Sequence, residues 1–271
     1  MRTALLQLRT PATQEAALDH AEPLVRRAAA AGARLIATPE GTNILQRDRK
    51  VLATRLATTD EDVAVRGLRA LARELGVWVL IGSALVRRED GKAANRSILV
   101  GADGGVAATY DKIHMFDVDL PTGERIRESS LYEPGERLAV AQADEARVGL
   151  TVCYDVRFPA VFQALARGGA EILTVPSAFT VPTGQAHWEV LLRARAIETG
   201  SFVLAPAQGG EHEDGRRTFG HSMIVDPWGE ILAQAEDDAP GVLLADLDLA
   251  AVGRARAAIP ALANARAFVG P

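Results

Sequence analysis

A thiol, a carboxylate and an ammonium stand at the ends of three strand-like runs in this chain of 271 residues. Cys153, the only cysteine, closes the run Arg147-Val148-Gly149-Leu150-Thr151-Val152-Cys153 and is followed by Tyr154-Asp155-Val156-Arg157-Phe158-Pro159. Glu40 closes the run over 34–40, and Lys112 follows the run over 106–111. These groups form a parts list for acyl transfer. A thiol is a poor nucleophile until it loses its proton, and a nearby base or positive charge lowers that barrier. Glu40 can take the thiol proton and pass it to a leaving amine. Lys112 can hold the oxyanion of a tetrahedral intermediate, and the backbone N–H of Tyr154, just after the nucleophile at a turn, can be the second donor. Each residue also has a plainer reading. A free cysteine is most often an inert core residue, a strand-end glutamate a surface carboxylate, and a loop lysine a solvated charge. Their joint occurrence is what points to chemistry.

Strands and helices alternate around these residues. Strands are predicted over 3–8 and 34–40, with a helix over 14–31 between them, closed by Gly32. Pro23 lies inside that helix and predicts a kink or a late start near Glu22. Asp60 reads as the N-cap of a helix ending at Leu75, with Gly76 as the stop. The apolar run 77–81 reads as a strand covered on both faces. Hairpins are predicted over 95–110 and 222–233, about Ala102-Asp103-Gly104-Gly105 and Asp226-Pro227-Trp228-Gly229. Between them come the Cys153 strand, a helix opened by Pro159, a strand over 171–175 and a helix over 185–199; a last strand covers 241–247. The order is βαβαββ followed by βαβαββ. It predicts an α/β fold in which two mixed sheets pack face to face under outer helices. No Pro/Gly/Ser-rich linker divides the chain, so a single domain over 1–271 is expected. Residues from Ala251 on are expected to form a helix and a tail docking on a partner subunit.

Composition narrows the function classes. Hydrophobic residues make up 48% and charged residues 24%, ordinary globular values. A net charge of −5 argues against a nucleic-acid partner. One cysteine excludes an intrachain disulfide framework and fits a reducing, cytoplasmic location. Residues 1–9 lack a signal-peptide core, and no apolar run approaches the roughly 18 residues of a membrane span. The five histidines show no close pair with metal-ligand spacing, and Gly168-Gly169 and Gly209-Gly210 fall in no phosphate-loop pattern. No metal or organic cofactor is therefore expected.

Three segments carry a resemblance: Ile36-Ala37-Thr38-Pro39-Glu40, the stretch from Tyr110 to Asp119, and Val152-Cys153-Tyr154-Asp155-Val156-Arg157-Phe158-Pro159. In that order, and nearly end to end, the chain resembles the nitrilase superfamily of carbon–nitrogen hydrolases. The resemblance implies an αββα sandwich that pairs into a homodimer or a higher oligomer. It also implies Glu40 as general base, Lys112 as oxyanion stabiliser and Cys153 as nucleophile. A second glutamate usually orients the lysine; Glu128, 25 residues before the cysteine, takes that place, with Glu124 as the alternative. Residues 176–198 and 219–229 are similar to the deaminated glutathione amidases of the Nit branch, and so is the loop over 205–217. The segment Gly41-Thr42-Asn43-Ile44 departs from the branch, which usually shows an aromatic residue there, and is expected to border the active site. The implied activity is hydrolysis of a small carboxylate amide through a cysteine thioester. Deaminated glutathione, cleaved to 2-oxoglutarate and cysteinylglycine, is the first candidate, and 2-oxoglutaramate, the ω-amidase substrate, the second. From another class, a catalytically idle dimeric scaffold is the alternative. Arg216 and Arg217 could meet a substrate carboxylate, since arginine forks match that geometry. His187 and Trp188 suit packing or substrate contact, and Arg193 and Arg195 suit helix packing and interface ion pairs.

Overall fold

A computed structural model describes residues 1–120, 123 and 125–270. Two six-stranded mixed sheets face each other. The first runs, edge to edge, Gly241–Asp246, Arg2–Gln7, Leu35–Ala37, Trp78–Arg87, Ala93–Val100, Val106–Asp111. The second runs Ile231–Gln234, Met223–Val225, Phe202–Ala205, Ile172–Thr174, Ala146–Leu150, Ala139–Ala143. In each sheet the three central strands are parallel and the flanking strands antiparallel. The middle strand of each parallel trio, Leu35–Ala37 and Ile172–Thr174, is buried along its whole length and mostly apolar, as a strand covered on both faces must be.

Alternation along the strands assigns the faces. Leu5, Leu35, Ala37 and Leu80 share a core with Val148, Leu150, Leu173 and Leu204 of the second sheet. Their neighbours Ala4, Leu6, Ile36 and Val79 pack instead with Val25, Val65 and Leu68 of the helices Gln14–Ala30 and Val63–Leu75. Helices Pro159–Arg167 and Val181–Thr199 cover the second sheet. The architecture is the expected αββα sandwich. Among the described residues no helix is long and apolar enough to cross a membrane.

Several local expectations are corrected. The helix at Val63 is capped by Asp62, whose carboxylate accepts from Val65 N at 2.9 Å and from Asn43 Nδ2 at 2.7 Å. Asp60 pairs instead with Arg69 at 3.0 Å. Pro23 neither delays nor ends its helix, which starts at Gln14 behind Thr13; burial of Ala17, Ala21, Val25 and Ala28 outweighs one missing N–H. The helix expected at 185 begins at Val181, with Pro182 in the first turn, where N–H groups lack partners anyway. Strand Ala139–Ala143, the helix Arg49–Arg55 and two short hairpins, Asp117–Asp119 with Arg125–Arg127 and Gly209–Glu211 with Arg217–Phe219, were not anticipated. The last strand leaves the second repeat and pairs antiparallel with Arg2–Gln7 in the first sheet. Helix Ala250–Ala258 follows it, and Phe268 and Val269 beyond are exposed.

One glycine sets how closely the sheets approach beside the site. The ladder of Trp78–Arg87 slips register between Ile81 and Ala84. A Cβ on Gly82, inside that slip, would overlap Thr38 O and lie 2.5 Å from Pro176 Cβ and 2.7 Å from Pro39 O. Pro39 precedes Glu40, and Pro176 O accepts the Cys153 N–H at 2.9 Å. Gly82→Ala is therefore expected to cost stability by about 1–3 kcal/mol through overpacking and to lower activity at the same time. Thermal melts and turnover matching wild type would contradict this contact.

Candidate active site

Glu40 leaves the strand Leu35–Ala37 on a turn that Gly41, at φ 66°, can adopt. The turn is held from within. Gly41 N–H donates to Ser83 Oγ at 2.9 Å, Thr42 Oγ1 to Pro39 O at 2.6 Å, and Gln208 Nε2 to Glu40 O at 3.0 Å. Asn43 bonds Asp62 and both backbone groups of Leu85. Thr42, Asn43 and Ile44 are all buried. The segment Gly41 to Ile44 thus anchors Glu40 from the interior instead of forming an open rim.

Lys112 follows the edge strand Val106–Asp111, and its chain is fixed by Lys112 N to Asn95 O at 2.9 Å and Gly135 N to Lys112 O at 2.8 Å. Its ammonium, 1% exposed, donates to Glu40 Oε1 at 3.0 Å and to Glu128 Oε1 and Oε2 at 2.9 and 2.8 Å. Glu128 opens a short 3₁₀ helix, Glu128–Ser130, and also accepts from Phe116 N at 2.6 Å. Glu124 lies outside the described residues. Asn95 Nδ2 bridges the two carboxylates, 2.9 Å from Glu40 and 3.2 Å from Glu128. Glu40 Oε2 accepts from the Ala178 N–H at 3.0 Å.

Cys153 begins a 3₁₀ turn, Cys153–Arg157, with φ 49°, a left-handed value uncommon outside glycine. Glu40, Lys112 and the Ala178 N–H all stand near enough to its thiol to act on its ionisation. The structure therefore brings Glu40, Lys112, Glu128 and Cys153 into one buried cluster. Tyr154 follows in the first turn of the 3₁₀ helix, where an N–H has no acceptor within the helix.

The electrostatics assign protons. Burial pushes the Glu40 carboxyl up, but the Lys112 charge and hydrogen bonds from Cys153, Lys112 and Asn95 outweigh it and hold the group below the usual carboxylate range. Burial also works against the Lys112 ammonium, yet Glu128 and Glu40 carry it well above an ordinary lysine. Cys153 moves the other way: burial and then the Glu40 charge outweigh Lys112 and the Ala178 N–H, so its pKa lies well above that of a free thiol. At neutral pH the cluster holds a carboxylate, an ammonium and a protonated thiol. Such a thiol needs a base at the moment of attack, and Glu40 is the carboxylate whose charge acts on it.

The arginines fall differently from one another. Arg216 Nε is 2.8 Å from buried Asp214, and its charge acts on the Tyr132 hydroxyl, which also feels Glu128, Glu40 and Lys112. Arg217 is 65% exposed, 3.9 Å from Asp238. Arg157, for which the sequence alone suggests no role, lies half-buried at the end of the turn that Cys153 opens. Its guanidinium stands 5.4 Å from the Phe179 ring centroid and 5.9 Å from that of Tyr154, and 3.3 Å from His187 Nδ1. Among the described residues no carboxylate pairs with it. Trp188 and Arg195 serve packing: Trp188 Nε1 donates to His221 O at 2.8 Å, and Arg195 Nε to Val156 O at 2.7 Å. Arg193 binds Glu189 and Gly229 O of its own chain. Among the described residues no three His, Cys, Asp or Glu side chains gather as a metal site would require.

Known proteins resemble this chain over nearly its whole length. A deaminated glutathione amidase of Yersinia enterocolitica is 43% identical over 238 residues, 87% of this chain and 82% of that protein. The C. elegans NitFhit protein superposes with a TM-score of 0.90 at 33% identity, over 98% of this chain; this chain spans 65% of that one. An amidase variant from Nesterenkonia sp. AN1, with an acetamide moiety covalently added at its active-site cysteine, superposes with a TM-score of 0.82 at 27% identity, over 98% and 94% of the two chains. The family model for carbon-nitrogen hydrolases matches residues 2–257, which include the whole of both sheets and every residue of the cluster, and the chain belongs to that family.

Proposed function

We propose that this carbon–nitrogen hydrolase is an amidase that cleaves deaminated glutathione to 2-oxoglutarate and cysteinylglycine. The carrying observation is the buried Glu40–Lys112–Glu128 ion cluster, whose Glu40 and Lys112 charges act directly on the Cys153 thiol. Cys153 Sγ attacks the amide carbon as its proton passes to Glu40. The carbonyl oxygen becomes an oxyanion stabilised by Lys112 Nζ and the Tyr154 N–H. Glu40 protonates the amine nitrogen, the C–N bond breaks, and a thioester remains. Water then gives a proton to Glu40 and attacks the thioester; the C–S bond breaks and the thiol regains its proton. Glu128 orients the lysine throughout.

The name of the Yersinia relative and the cations around the cluster support the substrate. Deaminated glutathione carries a carboxylate at each end, whereas 2-oxoglutaramate carries only the 2-oxo acid one. Arg157, in the turn that Cys153 opens and paired with no carboxylate among the described residues, takes the shared carboxylate. Arg216 takes the distal one. Losing a charge-assisted bond costs roughly 1.5–3 kcal/mol, about ten- to a hundredfold in kcat/KM. Arg157→Ala is expected to lose that factor on both amides, Arg216→Ala on deaminated glutathione alone, and Arg217→Ala on neither. Assays of the purified protein and these variants on both substrates decide it. Preference of the wild type for 2-oxoglutaramate would favour the ω-amidase reading, and turnover of neither would favour the idle scaffold.

The same reading makes the protein a cytosolic homodimer. Val190 and Ile197 on helix Val181–Thr199, with Trp228 near by in sequence to its contact Gly229, are more than half exposed, apolar surface suited to a second copy. A monomer in sedimentation at micromolar concentration would refute the pairing.

A further inference from the structure

Lys112 and Cys153 belong to different sheets, so nothing in the local chain fixes the distance between them. We infer that Asp155 is a positioning residue that sets it, and that it does so through Tyr110 and His114. The inference rests on the proposed roles of the lysine and the thiol. Asp155 is fully buried, two residues past the nucleophile. Its carboxylate accepts from Val152 N at 2.9 Å, Tyr110 OH at 2.7 Å and His114 N at 3.2 Å, and lies 2.8 Å from His114 Nδ1. The first bond holds the strained turn at Cys153. The others grip the chain two residues before and two residues after Lys112.

Further contacts stitch the same two segments. The His114 ring stacks on Phe158 at 3.5 Å between centroids, and Phe116 meets Tyr154 edge-on at 5.0 Å. Tyr110 OH also accepts from Ile113 N at 3.2 Å, so the phenol braces the residue that follows the lysine. A single carboxylate thus joins the turn carrying the thiol to the strand end carrying the ammonium. The cluster of Glu40, Glu128 and Asn95 orients the amine at its tip; Asp155 places the backbone from which that amine extends.

The test is Tyr110→Phe, which removes one strut and leaves Asp155 its bond to Val152, together with Asp155→Asn, which replaces an acceptor oxygen by a donor at the same volume. Displacements of an ångström can cost on the order of a hundredfold in rate. Tyr110→Phe is expected to lower kcat roughly tenfold or more on whichever amide the wild type hydrolyses, with KM nearly unchanged, and Asp155→Asn at least as much. In a Lys112→Ala background the Tyr110→Phe loss is expected to vanish, because there is no ammonium left to misplace. Turnover of Tyr110→Phe within about twofold of wild type would overturn the inference, and so would an equal loss in both backgrounds. Should the double variant not fold, the single variant decides: a kcat loss at wild-type melting temperature supports positioning, and a loss that follows a falling melting temperature refutes it. Wild-type turnover tests the amidase reading separately, since only variant-to-wild-type ratios bear on Asp155.

Discussion

Cys153→Ala is expected to abolish turnover while leaving the fold in place. Acyl transfer through a thioester has no substitute in this chain, which holds no second thiol. Removing a nucleophile that acts as a unit with its base typically costs about 10⁶ in kcat. The side chain lost is small, and alanine can take the backbone geometry that cysteine already takes there at φ 49°. The bonds that hold the turn, Cys153 N to Pro176 O and Val152 N to Asp155, involve no sulfur. Circular dichroism and thermal melting should therefore match wild type, and mass spectrometry should find no acyl adduct with substrate. Appreciable activity in this variant would sink the covalent mechanism.

Lys112→Ala is expected to lose both rate and stability, for separate reasons. Without the ammonium the developing oxyanion keeps only the Tyr154 N–H, and loss of one such donor costs on the order of 10²–10³ in kcat. The same ammonium sits between Glu40 and Glu128, within 3.0 Å of each. Its removal leaves two buried carboxylates facing each other, and breaking a buried ion pair from one side costs about 3–5 kcal/mol. The variant should melt at lower temperature and, where still folded, show a fall in kcat far larger than any rise in KM. A folded variant with a normal kcat would remove Lys112 from the chemistry.

The three reacting groups were legible because each ends a strand-like run, and runs of that kind converge when sheets stack. Glu128 had no such signal; its position followed from family resemblance alone, and its short 3₁₀ helix was not foreseen. Asn95 and Asp155 were silent for a physical reason. Their partners lie 55 and 33 residues away for Asn95, and 45 and 41 for Asp155, and no local pattern encodes pairs so distant. Arg157 follows the nucleophile by four residues, yet its significance depends on pairing with no carboxylate among the described residues, which only a folded chain reveals. The misassigned cap is of the same type. Asp60 and Asp62 are equally good capping residues, and Asn43, reaching in from the Glu40 turn, settles which one is buried. Alternation of elements gave the sandwich correctly, while the sheet joined by the final strand could not be read from order.

That final strand has a consequence for how the protein is made. Arg2–Gln7 leaves the ribosome more than two hundred residues ahead of its neighbour in the sheet, and one side of it stays unpaired until Gly241–Asp246 is synthesised. At roughly 5–20 residues per second, the wait is on the order of ten to fifty seconds. Throughout it, a strand bearing the apolar residues Ala4, Leu5 and Leu6 offers open N–H and C=O groups to any other extended chain. A truncated polypeptide that lacks the last strand carries this sticky border permanently.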